Sequence, residues 1–324
     1  YTYLTYTIND PIYDINNYQQ ISTLMCRIIG TKLYTTNPHI RSKYMTIIGK
    51  LKIDNIEYEA NIIESVMNLY IDIYLSKTGG LELEKIYVSL SVYEFITSKL
   101  FKDDIATDKL LDIVQIVDKN ENKVKMFINF IVKEMGMSIE SLFKVLEKYI
   151  KMNDDYEQQL MTNSVIKLVE YCSCAWKILY LFVKNNSSLR DIISSKELLL
   201  GLRMNINSYI SEFSNFFTKE NKDGLKVIED RMYIKININT VTENMIKLIT
   251  IFKDDIDTLE YIFISGDGLN TNKLSNMIND PDLNTIIESM EKYDNSDSDC
   301  DYPEKFLDQI TLAPLSDPVI IPDT

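Results

Sequence analysis

Glycine and proline are scarce in this chain of 324 residues, and their scarcity bears on the fold. The sequence contains 9 glycines and 7 prolines, whereas a chain of many short strands needs frequent turn-forming residues. Apolar residues make up 45% of the chain and charged residues 25%, which is typical of a globular protein. The sequence therefore predicts a mostly helical globular chain rather than a β-sandwich or a barrel.

Histidine is almost absent, and this limits the chemistry that the chain can perform. The one histidine, His39, directly follows a predicted helix cap, and we interpret it as a structural residue. No second pair of cysteine or histidine residues lies at zinc-ligand spacing, so we predict neither a metal nor another cofactor. General acid–base catalysis usually relies on histidine or on a carboxylate with a shifted pKa, and the helical part of the sequence indicates no active site of its own.

The chain has four cysteines, and none is predicted to act as a nucleophile. Cys26 and Cys172 lie at apolar helical positions and are predicted core residues. Cys174 lies two residues after Cys172, so the two side chains point in different directions on a helix. Cys300 lies between two aspartates, which disfavour a thiolate. Unpaired cysteines of this kind suit a reducing compartment, and we predict a protein of the cytoplasm, the nucleus or both.

The net charge is −14, and lysine and arginine are spread along the chain without a basic block. Nucleic-acid binding requires clustered cations, so we predict no nucleic-acid partner. The same charge disfavours an anionic membrane surface. The most apolar run, residues 176–183, is much shorter than the roughly 20 residues that a membrane span needs.

Amphipathic stripes predict one helix after another along most of the chain. The first begins near Tyr18 and ends at Gly30, and Asn37-Pro38 is typical of the start of the next. Residues 151–159 are polar, and the pattern leaves open whether they form an exposed helix or a loop. The other predicted helices cover residues 58–75, 84–101, 110–117, 124–133 and 160–183, with two more within 189–217. The apolar stripes of the helices at 58–75 and 84–101 place Tyr70 and Tyr93 on inward faces.

Capping signals give further boundaries. Ser138 is predicted to cap a separate helix, and Thr240 with Glu243 three residues later matches a capping box. Residues 219–224 are predicted to form a charged loop. Asp280-Pro281 has the same pattern as Asn37-Pro38 and is predicted to start another helix.

Successive helices joined by short loops favour an α-solenoid of helical hairpins, similar to armadillo repeats, over residues 1–292. We find no fixed sequence period, so any repeats are degenerate. A compact helical bundle stays open as the alternative, but it would have to bury more helix than a single core usually holds. Residues 293–301 are acidic and almost free of apolar side chains, and we predict a flexible linker there.

The final stretch, residues 302–324, differs from everything before it. Val319, Ile320 and Ile321 are β-branched residues between Pro318 and Pro322, a pattern typical of a short strand that is entered from a tight turn. This stretch predicts the front edge of a small α+β domain.

The same stretch, PEKFLDQITLAPLSDPVIIP, closely resembles the start of a U-box, the zinc-free relative of the RING domain in ubiquitin ligases. The pattern departs at Gln309, where a proline is usual, and at Pro314, where a leucine is usual. We therefore expect residues 302–324 to be the truncated N-terminal edge of a U-box. The residues that match the U-box pattern in register are Pro303, Phe306, Asp308, Ile310, Leu315, Asp317, Pro318, Val319, Ile321 and Pro322.

The helical part shows a related resemblance. Residues 37–43, NPHIRSK, resemble the Asn-Pro-Tyr-Leu-Arg-Ala-Lys stretch of the chain-elongating U-box ligases known as the ubiquitin conjugation factor E4 family. Residues 263–272, FISGDGLNTN, resemble that family's Asp-Gly-Arg-Ser-Tyr turn, with Leu269 in the place of the arginine. These blocks occur in the same order as in that family and are spread across residues 18–324.

The resemblance implies a ligase that recruits a ubiquitin-conjugating enzyme and extends ubiquitin chains on ubiquitylated substrates. It also implies an AAA unfoldase as a partner. A U-box performs no covalent chemistry itself; it grips the conjugating enzyme through an apolar first loop. On this mapping Ile310 and Leu312 contact the conjugating enzyme, with packing inside the U-box as the alternative. Phe306, Asp317, Pro318, Val319 and Pro322 have structural roles.

A function of another class stays open. On this alternative, the chain is a non-catalytic helical-repeat scaffold that binds ubiquitin-pathway proteins or an AAA unfoldase without transferring ubiquitin.

Overall fold

The computed structural model of the chain describes residues 15–48, 56–75, 82–97, 107–184, 187–265, 268–269 and 284. The described part is mostly helical, which confirms the all-α prediction. Its helices are α1 Ile15–Gly30, α2 Pro38–Ile48, α3 Ile56–Leu75, α4 Glu82–Phe95, α5 Thr107–Lys151, α6 Asp155–Lys184, α7 Ser187–Ile193, α8 Lys196–Phe216, α9 Lys219–Met232, α10 Ile238–Thr250 and α11 Ile256–Phe263. Strands β1 Ile264–Ser265 and β2 Gly268–Leu269 pair antiparallel.

The helices pack in two rows. In the first row α1 packs on α3, α3 on α5, α5 on α8, and α8 on α11. In the second row α2 packs on α4, α4 on α6, and α6 on α10. Contacts between α1 and α2, α3 and α4, and α5 and α6 join the rows. The apolar core lies between them, and Trp176, Phe127 and Tyr93 are among its fully buried side chains.

Several predicted helix boundaries are confirmed. Helix α1 ends at Gly30, and α2 begins at Pro38 directly after Asn37. The long helix predicted within residues 160–183 is α6, which begins earlier because Asp154 accepts hydrogen bonds from the amides of Tyr156 and Glu157. Of the polar stretch 151–159, which the sequence left open as helix or loop, residues 152–154 are therefore the non-helical break and the rest is helical.

Three predicted boundaries are wrong. Ser138 caps no helix, because it lies within α5 and its hydroxyl donates to the Glu134 carbonyl of the same helix. The interruption of α5 lies at Asn120, between the helices predicted at 110–117 and 124–133. The backbone of Asn120 is not helical, and its side-chain oxygen accepts a hydrogen bond from the Lys123 amide. Thr240 lies inside α10, which begins at Ile238.

The predicted charged loop at residues 219–224 is the third error, because these residues form the first turns of α9. Thr218 caps that helix by accepting a hydrogen bond from the Asn221 amide. Gly224 lies inside the helix at a close contact with α5: a Cβ atom there would be 2.7 Å from Cγ2 of Ile150. This glycine permits close helix packing rather than a turn.

None of the described helices has both the length and the apolar character that a membrane crossing requires.

Candidate functional site

The residues predicted to contact a conjugating enzyme, Ile310 and Leu312, lie outside the described residues. The same holds for the predicted structural residues of the U-box start, which are Phe306, Asp317, Pro318, Val319 and Pro322. Their roles therefore stay predictions. The described residues that carry part of the resemblance are 37–43, at the start of α2, and some of residues 263–272.

The start of α2 shows why asparagine and proline open this stretch. The Asn37 side-chain oxygen accepts hydrogen bonds from the backbone amides of His39 at 2.9 Å and Ile40 at 3.4 Å. Pro38 occupies the first helical position, where its missing N–H costs nothing. Ser42 donates to the His39 carbonyl at 2.9 Å. The sequence thus fixes the first turn of α2 through local bonds alone.

Arg41 joins helices α1, α2 and α3. Its side chain is 1% exposed, which is exceptional for an arginine. Its Nε and Nη2 atoms donate to the Ile29 carbonyl at 2.9 and 2.6 Å, so Arg41 satisfies a free carbonyl in the last turn of α1. Its Nη1 atom donates to Asp72 on α3 at 2.8 Å. The planar guanidinium is needed here because its donors point in two directions at once.

Asp72 also pairs with Lys32, whose ammonium lies 3.2 Å from the other carboxylate oxygen. The loop between α1 and α2 is thereby attached to α3. Arg41, Asp72 and Lys32 together hold a hairpin against the following helix, which is a structural role.

A second buried polar cluster lies where α3, α4, α5 and α6 meet. Glu134 of α5 is 8% exposed, and its Oε2 atom accepts hydrogen bonds from Tyr70 at 2.6 Å, Tyr93 at 3.3 Å and Tyr171. The hydroxyl oxygens of Tyr70 and Tyr93 are 2.6 Å apart. Each tyrosine comes from a different helix, so one carboxylate connects four helices.

Burial raises the pKa of the Glu134 carboxyl above its ordinary value, and the three tyrosine hydroxyls counteract part of this shift. Ser89 also favours the charged form, although its hydroxyl makes no hydrogen bond of standard geometry. Burial holds the pKa of the Tyr70, Tyr93 and Tyr171 hydroxyls well above 10, so these groups remain donors. The cluster is closed by side chains and has the character of a structural hydrogen-bond network.

The apolar stripes correctly place Tyr70 and Tyr93 on inward faces, whereas Glu134 and its role were not predicted. A signal was present, because Glu134 lies seven residues after Phe127 and therefore on the same face of α5. A carboxyl group on the apolar face of a helix predicts a buried hydrogen-bond network.

The described cysteines are poor nucleophiles. Burial raises the pKa of the Cys26 and Cys172 thiols to about 12, and that of Cys174 to about 11. A thiol acts as a nucleophile only as the thiolate, so these three side chains do not suit a covalent ubiquitin thioester. In the described ranges, no group of three or more His, Cys, Asp or Glu side chains is placed to hold a metal ion.

Comparison of the chain with models of known protein families and with curated protein sequences gives no match to either.

Proposed function

We propose that this protein is a U-box ubiquitin ligase that recruits a ubiquitin-conjugating enzyme and elongates ubiquitin chains on substrates. The observation that carries the proposal is the pattern within residues 302–324, where Phe306, Asp317, Pro318 and Pro322 fall in the register of a U-box start. The helical body is the scaffold of this ligase, and cytoplasmic or nuclear ubiquitylated proteins are its substrates.

We propose in addition that the helical body is an armadillo-like α-solenoid. The two rows support this, because helices of one row contact the next helix of the same row while adjacent hairpin partners join the rows. Stacked hairpins of this kind present extended surfaces for partners. Such surfaces suit a ligase that must hold a ubiquitylated substrate, and an AAA unfoldase is a further partner that the resemblance implies.

The start of α2 supports the proposal that the helical part and residues 302–324 belong to the same kind of ligase. Residues 37–43 share four residues with the chain-elongating U-box ligases, namely Asn37, Pro38, Arg41 and Lys43. The first three have specific structural tasks, which are capping, starting the helix, and joining α2 to α1 and α3. Residues with such tasks are the ones that a common helical scaffold would retain.

The proposed mechanism is non-covalent. Ile310 and Leu312 occupy the first loop of the U-box pattern, and exposed aliphatic residues on a tight turn suit a small transient interface. They bind the conjugating enzyme and favour attack on its ubiquitin thioester. The high pKa of the thiols of Cys26, Cys172 and Cys174 agrees with a mechanism in which the ligase forms no thioester itself.

The test is a chain-formation assay with the protein expressed from its full reading frame, together with activating enzyme, conjugating enzyme and ubiquitin. We expect Ile310→Ala to lower the rate of chain formation by about tenfold, since it removes an interface anchor. Leu307→Ala, at an aliphatic position outside the matched pattern, is the matched control and should retain most of the activity. Chain formation that is unchanged by Ile310→Ala would remove this assignment.

The second candidate is a non-catalytic helical-repeat scaffold that binds ubiquitin-pathway proteins or an AAA unfoldase. The observation in its favour is that the two polar clusters of the body, around Arg41 and around Glu134, both join helices to one another. The same assay separates the candidates, because a scaffold binds ubiquitylated protein without forming chains with any conjugating enzyme.

A further inference from the structure

A cavity lined mostly by polar side chains lies between α1 and α3, at the end of α1 that carries Gly30. It has a volume of about 380 Å³ and is open to solvent. Gly30 and Ser65 bring the two helices together at this place, since a Cβ atom on Gly30 would be 2.9 Å from the Ser65 hydroxyl. The polar side chains that line the cavity are Thr23, Arg27, Thr31, Glu64, Ser65 and Asn68.

The charge of the cavity is positive in a protein whose net charge is −14. Glu64 is neutralised by Lys123, whose ammonium lies 2.7 Å from its carboxylate. Arg27 is exposed and has no ion-pair partner among the residues that the structure describes. Arg41, which donates to the Ile29 carbonyl, offsets part of the negative end of the α1 dipole. The surplus charge at the cavity is therefore that of Arg27.

The neutral groups of the cavity are hydrogen-bond donors that suit an oxyanion. The hydroxyl of Ser65 and the amide of Asn68 lie one turn apart on α3, and Thr31 follows the end of α1. A guanidinium surrounded by hydroxyl and amide donors matches a carboxylate, whose two oxygens accept several hydrogen bonds.

An apolar protrusion adjoins the cavity. Leu33 and Tyr34 follow Thr31 in the α1–α2 loop and are 88% and 54% exposed. The Leu33 amide donates to the Thr31 hydroxyl at 3.2 Å, and the Lys32–Asp72 ion pair attaches the loop to α3. Apolar side chains on a loop that is already ordered lose little conformational entropy on binding.

We propose that the α1–α3 cavity and the Leu33–Tyr34 protrusion form one recognition surface for a peptide segment that carries a carboxylate side chain next to an aliphatic residue. The carboxylate binds Arg27 inside the cavity, and the aliphatic residue packs on Leu33 and Tyr34. This surface belongs to the helical body and is independent of residues 302–324.

The test uses two probes that differ in one group, N-acetyl-Asp-Leu-amide and N-acetyl-Asn-Leu-amide. Each is titrated into the full chain labelled with 15N, and the backbone shifts of Arg27, Thr31 and Ser65 are followed. We expect the aspartyl probe to bind with a Kd of about 1 mM and to shift these signals, while the asparaginyl probe binds about fivefold more weakly.

Two variants locate the binding. Arg27→Gln should weaken binding of the aspartyl probe by about fivefold and leave binding of the asparaginyl probe unchanged, because only the charged hydrogen bonds are lost. Arg190→Gln is the matched control, since Arg190 is also an exposed arginine in the last turn of a helix. Leu33→Ser should weaken binding of both probes by about threefold, because an apolar contact is lost.

Equal binding of the two probes, or an equal effect of Arg27→Gln and Arg190→Gln, would overturn the proposal. Inorganic phosphate provides the third arm. If phosphate displaces the aspartyl probe when the two are at equal concentration, the cavity binds oxyanions in general, and the assignment to a carboxylate-bearing peptide is wrong.

Discussion

The carboxylate of Glu134 is buried and is stabilised by tyrosine hydroxyls. Tyr70, Tyr93 and Tyr171 point three hydroxyl groups at one carboxylate oxygen, and no lysine or arginine pairs with it within the described ranges. Neutral donors compensate only part of the cost of removing a charge from water. The raised pKa of this carboxyl group follows from that imbalance.

The raised pKa predicts how Glu134→Gln changes the dependence of stability on pH. The folded state binds the Glu134 proton more tightly than the unfolded state does. The stabilisation from this proton is complete below the ordinary carboxyl pKa of 4.5 and is lost as the pH rises through the raised value. Since glutamine does not titrate, the variant should gain stability relative to the wild-type protein as the pH rises from the ordinary carboxyl pKa of 4.5 through the raised one. Urea unfolding at a series of pH values measures this difference.

Glu140 on the same helix provides a control of opposite sign. A hydrogen bond from Lys144 lowers the pKa of this exposed carboxyl group. The stabilisation from its charged form is present above the ordinary pKa and is lost as the pH falls through the lowered one. Relative to the wild-type protein, Glu140→Gln should therefore gain stability as the pH falls. Equal slopes for the two variants would contradict the environment assigned to Glu134.

At the scale of the helices, Arg41 decides how the first hairpin is held. Its guanidinium donates to Ile29 at the end of α1 and to Asp72 on α3. We expect Arg41→Lys to lower the free energy of unfolding by about 2 kcal/mol, because one ammonium cannot serve both acceptors. Denaturant unfolding measures the change. Arg190→Lys on the surface of α7 should change stability by less than about 0.5 kcal/mol.

The helices were predictable from sequence where one local signal determines the boundary. Asn37-Pro38 placed the start of α2 correctly, because capping by the asparagine side chain depends only on the next few residues. The apolar stripes placed Tyr70 and Tyr93 on inward faces for the same reason, since helical periodicity is a local property.

The boundaries that failed depend on contacts that are distant in sequence or on side chains with two equivalent uses. Ser138 has the chemistry of a cap, but a serine hydroxyl can equally donate to the carbonyl four residues earlier within a helix. Gly224 is typical of a loop, yet it lies inside α9, where the absence of a side chain leaves room for Ile150 of α5. The partners of Glu134 come from three other helices, and no local pattern contains them.

At the scale of the whole molecule, the order of packing determines how far a perturbation spreads. Helix α1 packs mainly on α2 and α3, whereas α6 packs mainly on α4, α5 and α10. Stability in a stack of hairpins is approximately a sum of terms from neighbouring units, so its ends can open while the middle stays folded. A compact bundle would instead unfold as one unit.

Hydrogen exchange of the Arg41→Lys variant distinguishes these two architectures. If the body is a solenoid, loss of the Arg41 contacts should raise amide exchange in α1, α2 and α3, whose attachment depends on Ile29 and Asp72. Exchange in α6 and α10 should remain at the wild-type rate, since their packing partners are unchanged. Mass spectrometry of proteolytic peptides gives the exchange helix by helix, and the Arg190→Lys variant supplies the baseline. If exchange rises by the same factor in α2 and in α10, the body is one cooperative core and the solenoid proposal is wrong.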